Sequence, residues 1–340
     1  MKAALKTAFL AARLPLLRLA GLLKKRNTFN PGGISKILLI RTDRLGDMIL
    51  TTPFIAAMKE AFPGARLTML ASKGPLRMVR FNPGVSETVE WDESLRSGLL
   101  EKLRAEKFDL AIDLHYDYPL ATARFCADAG ARISCGFDIA GRGELFDLPV
   151  PAKGNRHFTR ELWDILSALG ISVPMKKPEI YFDSAVKTAA SDFLKLAGLA
   201  GHPYAVIHPG GHYQSQRWPA ERFAGIAAFL EKYKGMRTLA VGGPDELELL
   251  REAAPDRPSY FGGDPLMTAA LIEGAALFVG NNSGPLHMAC ALGVPNASTM
   301  GPTDPVRFAP LGEKCAVARG NPLSLVTEEA MRKAVCEVLG

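Results

Sequence analysis

Between Gly280 and Pro310 the sequence concentrates residues able to hold an anion. Ser283 stands where a helix N-cap would, Gly284 lets backbone approach closely, and Pro285 falls in a first helical turn, where its missing N–H costs nothing. His287 lies one turn further in. The free N–H groups of such a turn, at the positive end of the helix dipole, attract phosphate. A second rigid loop, Gly301-Pro302-Thr303-Asp304-Pro305, follows the next apolar run. Two such loops side by side make a crevice, the usual ligand position in an open α/β sheet. The same residues equally describe an ordinary strand, turn and helix in which glycine and proline only shape turns.

Three further places carry chemistry. Asp47 follows Gly46 a few residues beyond the apolar run Ile37 to Ile40, where a carboxylate suits the first turn of the following helix. His208-Pro209-Gly210-Gly211 frees backbone to wrap a phosphate, with Gln216 and Arg217 just beyond. Gly243-Pro244-Asp245-Glu246 opens another helix, and the Glu246 carboxylate can accept two hydroxyl donors or simply complement the helix dipole. Lys73, Arg77 and Arg80 follow the second strand and suit an acidic acceptor or a solvated helix face. His115 ends a strand at an edge where ligands bind.

Regular elements must hold these groups. Lys36 to Arg41, Leu67 to Ala71, Glu87 to Glu90, Leu110 to Leu114 and Ala131 to Cys135 read as strands, with helices over 93–105, 121–127 and 158–169. Gly170 to Pro178 reads as a linker. Beyond it, a helix over 184–197 precedes strands at Tyr204 to His208, Thr238 to Gly242, Ser259 to Phe261, Ala276 to Val279 and Pro295 to Met300. Alternation of this kind argues a doubly wound parallel sheet on each side of the linker.

The 340 residues suffice for two domains, and 48% apolar with 22% charged residues is ordinary for a folded protein. The net charge of +6 comes from residues 1–33, which hold Lys2, Lys6, Arg13, Arg18, Lys24, Lys25 and Arg26 and no acid. The remainder carries 34 basic against 35 acidic residues, so composition offers no nucleic-acid-binding surface. Five scattered cysteines, none spaced C-x-x-C, read as thiols of a reducing compartment. In the arm, Leu5, Phe9, Ala12, Leu16 and Leu19 recur at helical spacing, and Arg13 and Arg18 break the run short of the ~20 residues a membrane span needs. The expectation is an interfacial helix on an anionic membrane surface through residues 1–30, with packing on the body as the alternative and Pro15 as a bend.

The four motif regions together resemble glycosyltransferase family 9, the bacterial heptosyltransferases of the lipopolysaccharide inner core. The matching strings are Arg41-x-Asp43-x-x-Gly46-Asp47 followed by Thr51-x-Pro53, then His208-Pro209-Gly210 with Trp218-Pro219, and lastly Ser283-Gly284-Pro285-x-His287 with Gly301-Pro302-Thr303-Asp304-Pro305. Two positions depart: Asn282 stands where the family carries an acid, and Gln216 where it carries a phosphate-contacting lysine.

The resemblance implies a GT-B glycosyltransferase fold, two Rossmann-like domains facing across a cleft. It divides the chain into the arm (1–33), an acceptor-binding domain (34–175), a nucleotide-sugar-binding domain (176–325) and a closing helix (326–340) that packs back across the domains. It implies Asp47 as the base of an inverting transfer of heptose from ADP-heptose to the lipopolysaccharide core. Donor contacts would be Gly210, Gly211, Gln216, Arg217, Glu246, Asn282, Ser283, Gly284 and His287. Arg41, Arg44, Lys73, Arg77 and His115 would face a lipid-linked oligosaccharide. The chain contains no D-x-D pair, so turnover without a metal and without a resident cofactor is expected. The protein would be cytoplasmic, held peripherally at the inner face of the cytoplasmic membrane. Rival readings are another nucleotide-sugar donor, suggested by Asn282 and Gln216, or a catalytically silent sugar- or lipid-binding protein. A nucleotide-dependent oxidoreductase fares poorly, because neither first turn contains G-x-G-x-x-G.

Overall fold

The computed structural model describes residues 2–340, without the side chains of residues 2–9, Ala11 and Ala20, so the arm's Lys2, Leu5, Lys6 and Phe9 lie outside what is described. The chain forms two compact units. One comprises Met1–Asp43, Pro53–Leu76 and Asn82–Lys176; the other comprises Arg44–Thr52, Arg77–Phe81 and Lys177–Gly340.

In chain order the elements up to the linker are α1 (Lys2–Leu23), β1 (Lys36–Ile40), α2 (Leu45–Ala61), β2 (Arg66–Ala71), α3 (Lys73–Arg77) and β3 (Glu87–Glu90). There follow α4 (Arg96–Glu106), β4 (Leu110–Asp113), α5 (Ala121–Asp128), β5 (Ile133–Asp138), β6 (Leu148–Pro151) and α6 (Phe158–Ala168). The six strands pair in parallel in the order β3-β2-β1-β4-β5-β6. A strand covered on both faces has no polar side, and Ile37, Leu38, Leu39 and Ile40 of β1 are all fully buried. Leu38 and Ile40 share a core with Leu70, Phe108, Ala111, Phe125 and Phe146. The edge strand β6 has the sequence Leu-Pro-Val-Pro, tolerable where one side of the strand needs no ladder bonds.

Helix α2 carries Pro53 inside it, which removes one N–H from the ladder. The Thr52 hydroxyl donates at 2.8 Å to the Ile49 carbonyl that Pro53 leaves without its helical donor. The two units divide α2 at this point.

The second unit continues with α7 (Ser184–Leu196), β7 (Tyr204–His208), α8 (Ala220–Lys234), β8 (Arg237–Val241), α9 (Leu247–Ala253) and β9 (Ser259–Tyr260). It ends with α10 (Pro265–Glu273), β10 (Leu277–Asn281), α11 (Gly284–Ala291), β11 (Asn296–Met300), β12 (Cys315–Arg319) and α12 (Glu328–Leu339). This sheet is also parallel, in the order β12-β11-β10-β7-β8-β9. Its core gathers Ala205, Ile207, Trp218, Phe223, Leu277 and Val279. The closing helix α12 buries Met331, Ala334, Val335 and Val338 in that same core.

In both sheets the chain winds outward through three strands and then returns to the first strand's other side. The switch lies between β1 and β4 in one sheet and between β7 and β10 in the other. Ligands of open α/β sheets bind at the carboxyl ends of strands flanking such a switch.

The arm helix α1 lies on the first unit. Leu14 and Leu17 pack over Gly141, where an added methyl would come within 2.9 Å of the Leu14 side chain. Arg13 donates to the Ala140 carbonyl at 2.7 Å, Arg26 pairs with Glu144 at 2.7 Å, and Lys24 pairs with Asp147 at 3.6 Å. The opposite face leaves Leu16, Leu19, Leu22 and Leu23 between 64% and 87% exposed. Among the described residues, no helix is long and apolar enough to cross a membrane.

Candidate functional site

At the first switch point, the end of β4 supplies a buried polar cluster. Asp113 is fully buried beside the equally buried Arg142 guanidinium, which also donates to the Asp117 carboxylate and carbonyl at 2.8 Å and to the His115 carbonyl at 3.1 Å. Burial alone would raise the Asp113 carboxyl, but the Arg142 charge and the hydrogen bonds from His115 outweigh it and hold the group down at about 2. His115 lies 2.7 Å from Asp113 through Nδ1, while Nε2 accepts the Thr42 N–H at 3.1 Å. This pair of contacts pins the ring between the end of β4 and the first residues after β1. Arg41 is buried, paired with Asp43 at 2.8 Å, bonded to the Leu114 carbonyl and stacked 4.5 Å from the Phe158 ring centroid. The structure thus gives Arg41 and His115 internal partners at the root of the turn. Lys73 is exposed.

The turn runs on into the second unit. Asp47, in the first turn of α2, is half-buried, and its carbonyl accepts the Thr51 hydroxyl at 2.7 Å. Gly46 is closely packed: a methyl there would stand 2.9 Å from His287 Cδ2 and 3.5 Å from the Gly284 Cα. A methyl on Gly284 would reciprocally meet Leu45 at 3.0 Å and the Gly46 N at 3.5 Å. Glycine at both positions is what lets the Asp47 turn and the start of α11 approach. Arg44 donates to the Tyr213 hydroxyl at 3.0 Å with its guanidinium 5.2 Å from that ring's centroid, and Arg77 pairs with Asp264 at 2.5 Å.

At the second switch point, β7 ends in the buried His208, whose Nδ1 donates to the Val241 carbonyl at 2.9 Å. Burial lowers the His208 pKa further than the nearby Glu246 carboxylate raises it, so the ring is neutral. Glu246 accepts the Gly243 N–H at 2.9 Å and lies 3.7 Å from the Arg217 guanidinium. A methyl on Gly210 would intrude on the Glu246 carboxylate and stand 2.7 Å from His208 Cε1. Arg217 donates through Nε to the Gly211 carbonyl at 2.9 Å, so its charge is held over the glycine loop. Gln216 reaches the other way and donates to the Thr303 hydroxyl at 3.1 Å, tying the first loop to the Gly-Pro-Thr-Asp-Pro loop.

Asn281, at the end of β10, organises this region. It is fully buried; its amide donates to the Pro209 and Gly210 carbonyls at 2.7 and 3.0 Å. Its oxygen accepts from the Trp218 N–H at 3.0 Å and the Thr299 hydroxyl at 2.7 Å. One side chain therefore joins the glycine loop, the approach to α8, β10 and β11, and uses its full hydrogen-bonding inventory. Sequence reading singled out its neighbour Asn282, which is half-buried and donates to the Phe308 carbonyl at 3.0 Å. A buried strand that ends in asparagine instead of an aliphatic residue was the available signal. Ser283 occupies the N-cap position of α11, but its hydroxyl donates back to the Asn281 carbonyl at 3.1 Å and makes no side-chain cap. The opening amides of α11 therefore take no side-chain acceptor from Ser283, and His287 sits buried one turn on.

Loop amides, a helix start, Arg217 and a ribose-sized acid gathered at one switch point suit a nucleoside diphosphate. Residues 96–333 match glycosyltransferase family 9 (heptosyltransferase). The chain is 28% identical over 295 residues to lipopolysaccharide heptosyltransferase 3 of Escherichia coli (strain K12), covering 79% of this chain and 83% of that one. Among solved structures, the family 9 glycosyl transferase of Veillonella parvula superposes with a TM-score of 0.80 at 24% identity, covering 90% of this chain and 97% of that one. E. coli heptosyltransferase WaaC with ADP does so with a TM-score of 0.73 at 20% identity, covering 89% and 99%. These likenesses show the shared fold, two parallel six-stranded sheets in the GT-B arrangement. With residues 96–333, well over half of its length, matching the family, the chain belongs to glycosyltransferase family 9, the heptosyltransferase family.

Proposed function

We propose that this glycosyltransferase moves heptose from ADP-heptose to a hydroxyl of the lipopolysaccharide core with inversion, using Asp47 as general base and no metal ion. The observation that carries the reading is the packing of Gly46 against Gly284 and His287, which brings the Asp47 turn beside the start of α11. Asp47 takes the acceptor proton as the oxygen attacks the anomeric carbon in line, and ADP departs from the opposite face. The charge left on the diphosphate is met by the opening amides of α11, the Gly210-Gly211 loop and Arg217. Glu246 accepts the ribose hydroxyls, and Gln216, Asn282 and Ser283 shape the loops around the diphosphate. The names of the curated relatives support lipopolysaccharide as the acceptor class, and the ADP complex of WaaC supports the nucleotide.

The acceptor is a lipid-linked oligosaccharide. Arg44, Lys73 and Arg77 supply positive charge toward it, while Arg41 and His115 hold the turn. The leucine face of α1, flanked by Arg18, Lys25 and Arg26, rests on an anionic membrane surface and keeps the enzyme at the inner face of the cytoplasmic membrane.

Thermal-shift binding of ADP-heptose, ADP, UDP-N-acetylglucosamine, UDP-glucose, GDP-mannose and NADH tests the donor. Stabilisation by ADP and ADP-heptose alone is expected. A selective shift with a UDP or GDP sugar would keep the mechanism and assign Asn282 and Gln216 to a different donor.

A further inference from the structure

Cys290 lies in the last turn of α11 and Cys315 opens β12, 25 residues later, with their sulfur atoms 4.0 Å apart. Cys290 is buried and Cys315 half-exposed. Asn296, the strand partner of Cys315 across β11 and β12, donates its amide to Cys315 Sγ at 3.1 Å and lies 3.7 Å from Cys290 Sγ. Gly312 passes directly over the same sulfur, where a methyl would stand 2.5 Å from Cys315 Sγ. The hydrogen bond shared by the two sulfurs and, against the cost of desolvation, the Asn296 amide and the Gly312 N–H bring Cys315 down to about 7. The same contact, with burial, pushes Cys290 well above the usual thiol range. The more exposed sulfur, Cys315, thus carries the lowered pKa, and the buried Cys290 sulfur lies behind it, the arrangement of an attacking and a resolving cysteine.

We propose that Cys290 and Cys315 form a redox-active dithiol that closes to a reversible disulfide on exposure to a peroxide. The Cys315 thiolate attacks one peroxide oxygen; the S–O bond forms, the O–O bond breaks, and the leaving hydroxide becomes water, giving a sulfenic acid. The Cys290 sulfur then attacks the sulfenic sulfur; the S–S bond forms, the S–O bond breaks, and the hydroxyl leaves as water with the Cys290 proton. The two thiols lose two hydrogens and one peroxide becomes two waters. Side-chain rotation must bring the sulfurs together by about 2 Å to the disulfide bond length.

The experiment is limited oxidation of the full-length protein by hydrogen peroxide at neutral pH, alkylation of the remaining thiols, and mass spectrometry of the non-reduced digest. A cross-linked peptide joining Cys290 to Cys315, lighter by two hydrogens and released by dithiothreitol, is expected. Cys336, exposed on α12, serves as the internal reference and should oxidise more slowly. In C290S, Cys315 should stop at a sulfenic acid that dimedone traps; in C315S, Cys290 should stay reduced. Oxidation of Cys336 while Cys290 and Cys315 remain free thiols, or cross-links that pair Cys315 with Cys336, would overturn the proposal.

Discussion

The side-chain amide of Asn281 donates to the Gly210 carbonyl at 3.0 Å, so the loop that would wrap the donor diphosphate is fastened from below by a buried residue of β10. Asn281→Ala removes that bond together with those to Pro209, Trp218 and Thr299. The expected costs are about 2–3 kcal/mol of stability and a roughly tenfold weaker ADP affinity, the latter ~1.4 kcal/mol. Asn281→Asp should be worse, because a carboxylate would face two carbonyl oxygens. Calorimetric titration with ADP beside thermal denaturation checks both; wild-type ADP affinity in folded Asn281→Ala would refute the fastening role.

Gly210 and Gly211 should differ under the same substitution. A methyl at Gly210 meets the Glu246 carboxylate and His208, whereas at Gly211 it meets Arg217 Cγ and the Gln216 carbonyl at 3.3 Å, a milder approach. Gly210→Ala should therefore weaken ADP binding by at least about tenfold while Gly211→Ala stays within a few-fold. Equal effects would mean that the Glu246 contact does not shape the site.

The Asp113–Arg142 pair predicts a specific acid sensitivity. A carboxyl held at about 2, below the ordinary value of 3.8, contributes stability that is fully present above pH ~4 and lost as pH falls toward ~2. Arg142→Met leaves Asp113 buried without its main partner and should cost about 3–5 kcal/mol, with the Asp113→Asn/Arg142→Met double variant recovering part of it. Thermal melts across pH 2 to 7 read both effects; a melting temperature for Arg142→Met equal to wild type at neutral pH would contradict the account.

The two faces of α1 should separate in assay. Serine at Leu16, Leu19, Leu22 and Leu23 removes about 1.5–3 kcal/mol of burial per residue available to a bilayer, so co-sedimentation with anionic vesicles should drop at least tenfold with little change in melting temperature. Leu14→Ser and Leu17→Ser, on the face against Gly141, should instead lower the melting temperature. Vesicle binding unaffected by the outer substitutions would remove the membrane role of the helix.

Strands such as Lys-Ile-Leu-Leu-Ile are legible because a parallel strand covered on both faces must be apolar throughout, and the glycine turns that follow them mark the strand ends. Two edge strands escape that reading. The Leu-Pro-Val-Pro of β6 carries two prolines, and the Cys-Ala-Val-Ala-Arg of β12 is built on small side chains and buries only Ala316 and Ala318, so both are visible only once a neighbouring strand supplies the pairing. In the site, motif residues stand in line with their turns, but the groups that brace them do not. Arg142 reaches Asp113 from 29 residues away and Asn281 joins segments up to 72 residues distant, which no local pattern encodes. Ser283 has the right type for a cap, yet its hydroxyl turns back to donate to the strand-end carbonyl of Asn281, a choice that residue type alone does not reveal. The amphipathic α12 announces a buried face without saying which core receives it.

The most direct test of the central claim is release of ADP from ADP-heptose in the presence of a heptose-deficient core acceptor, measured for wild type and Asp47→Asn, each with and without EDTA. The account predicts turnover by wild type that EDTA leaves unchanged, and a loss of at least about a hundredfold in Asp47→Asn with ADP affinity preserved. Undiminished turnover by Asp47→Asn would contradict the assignment of the base, and abolition by EDTA would contradict catalysis without a metal.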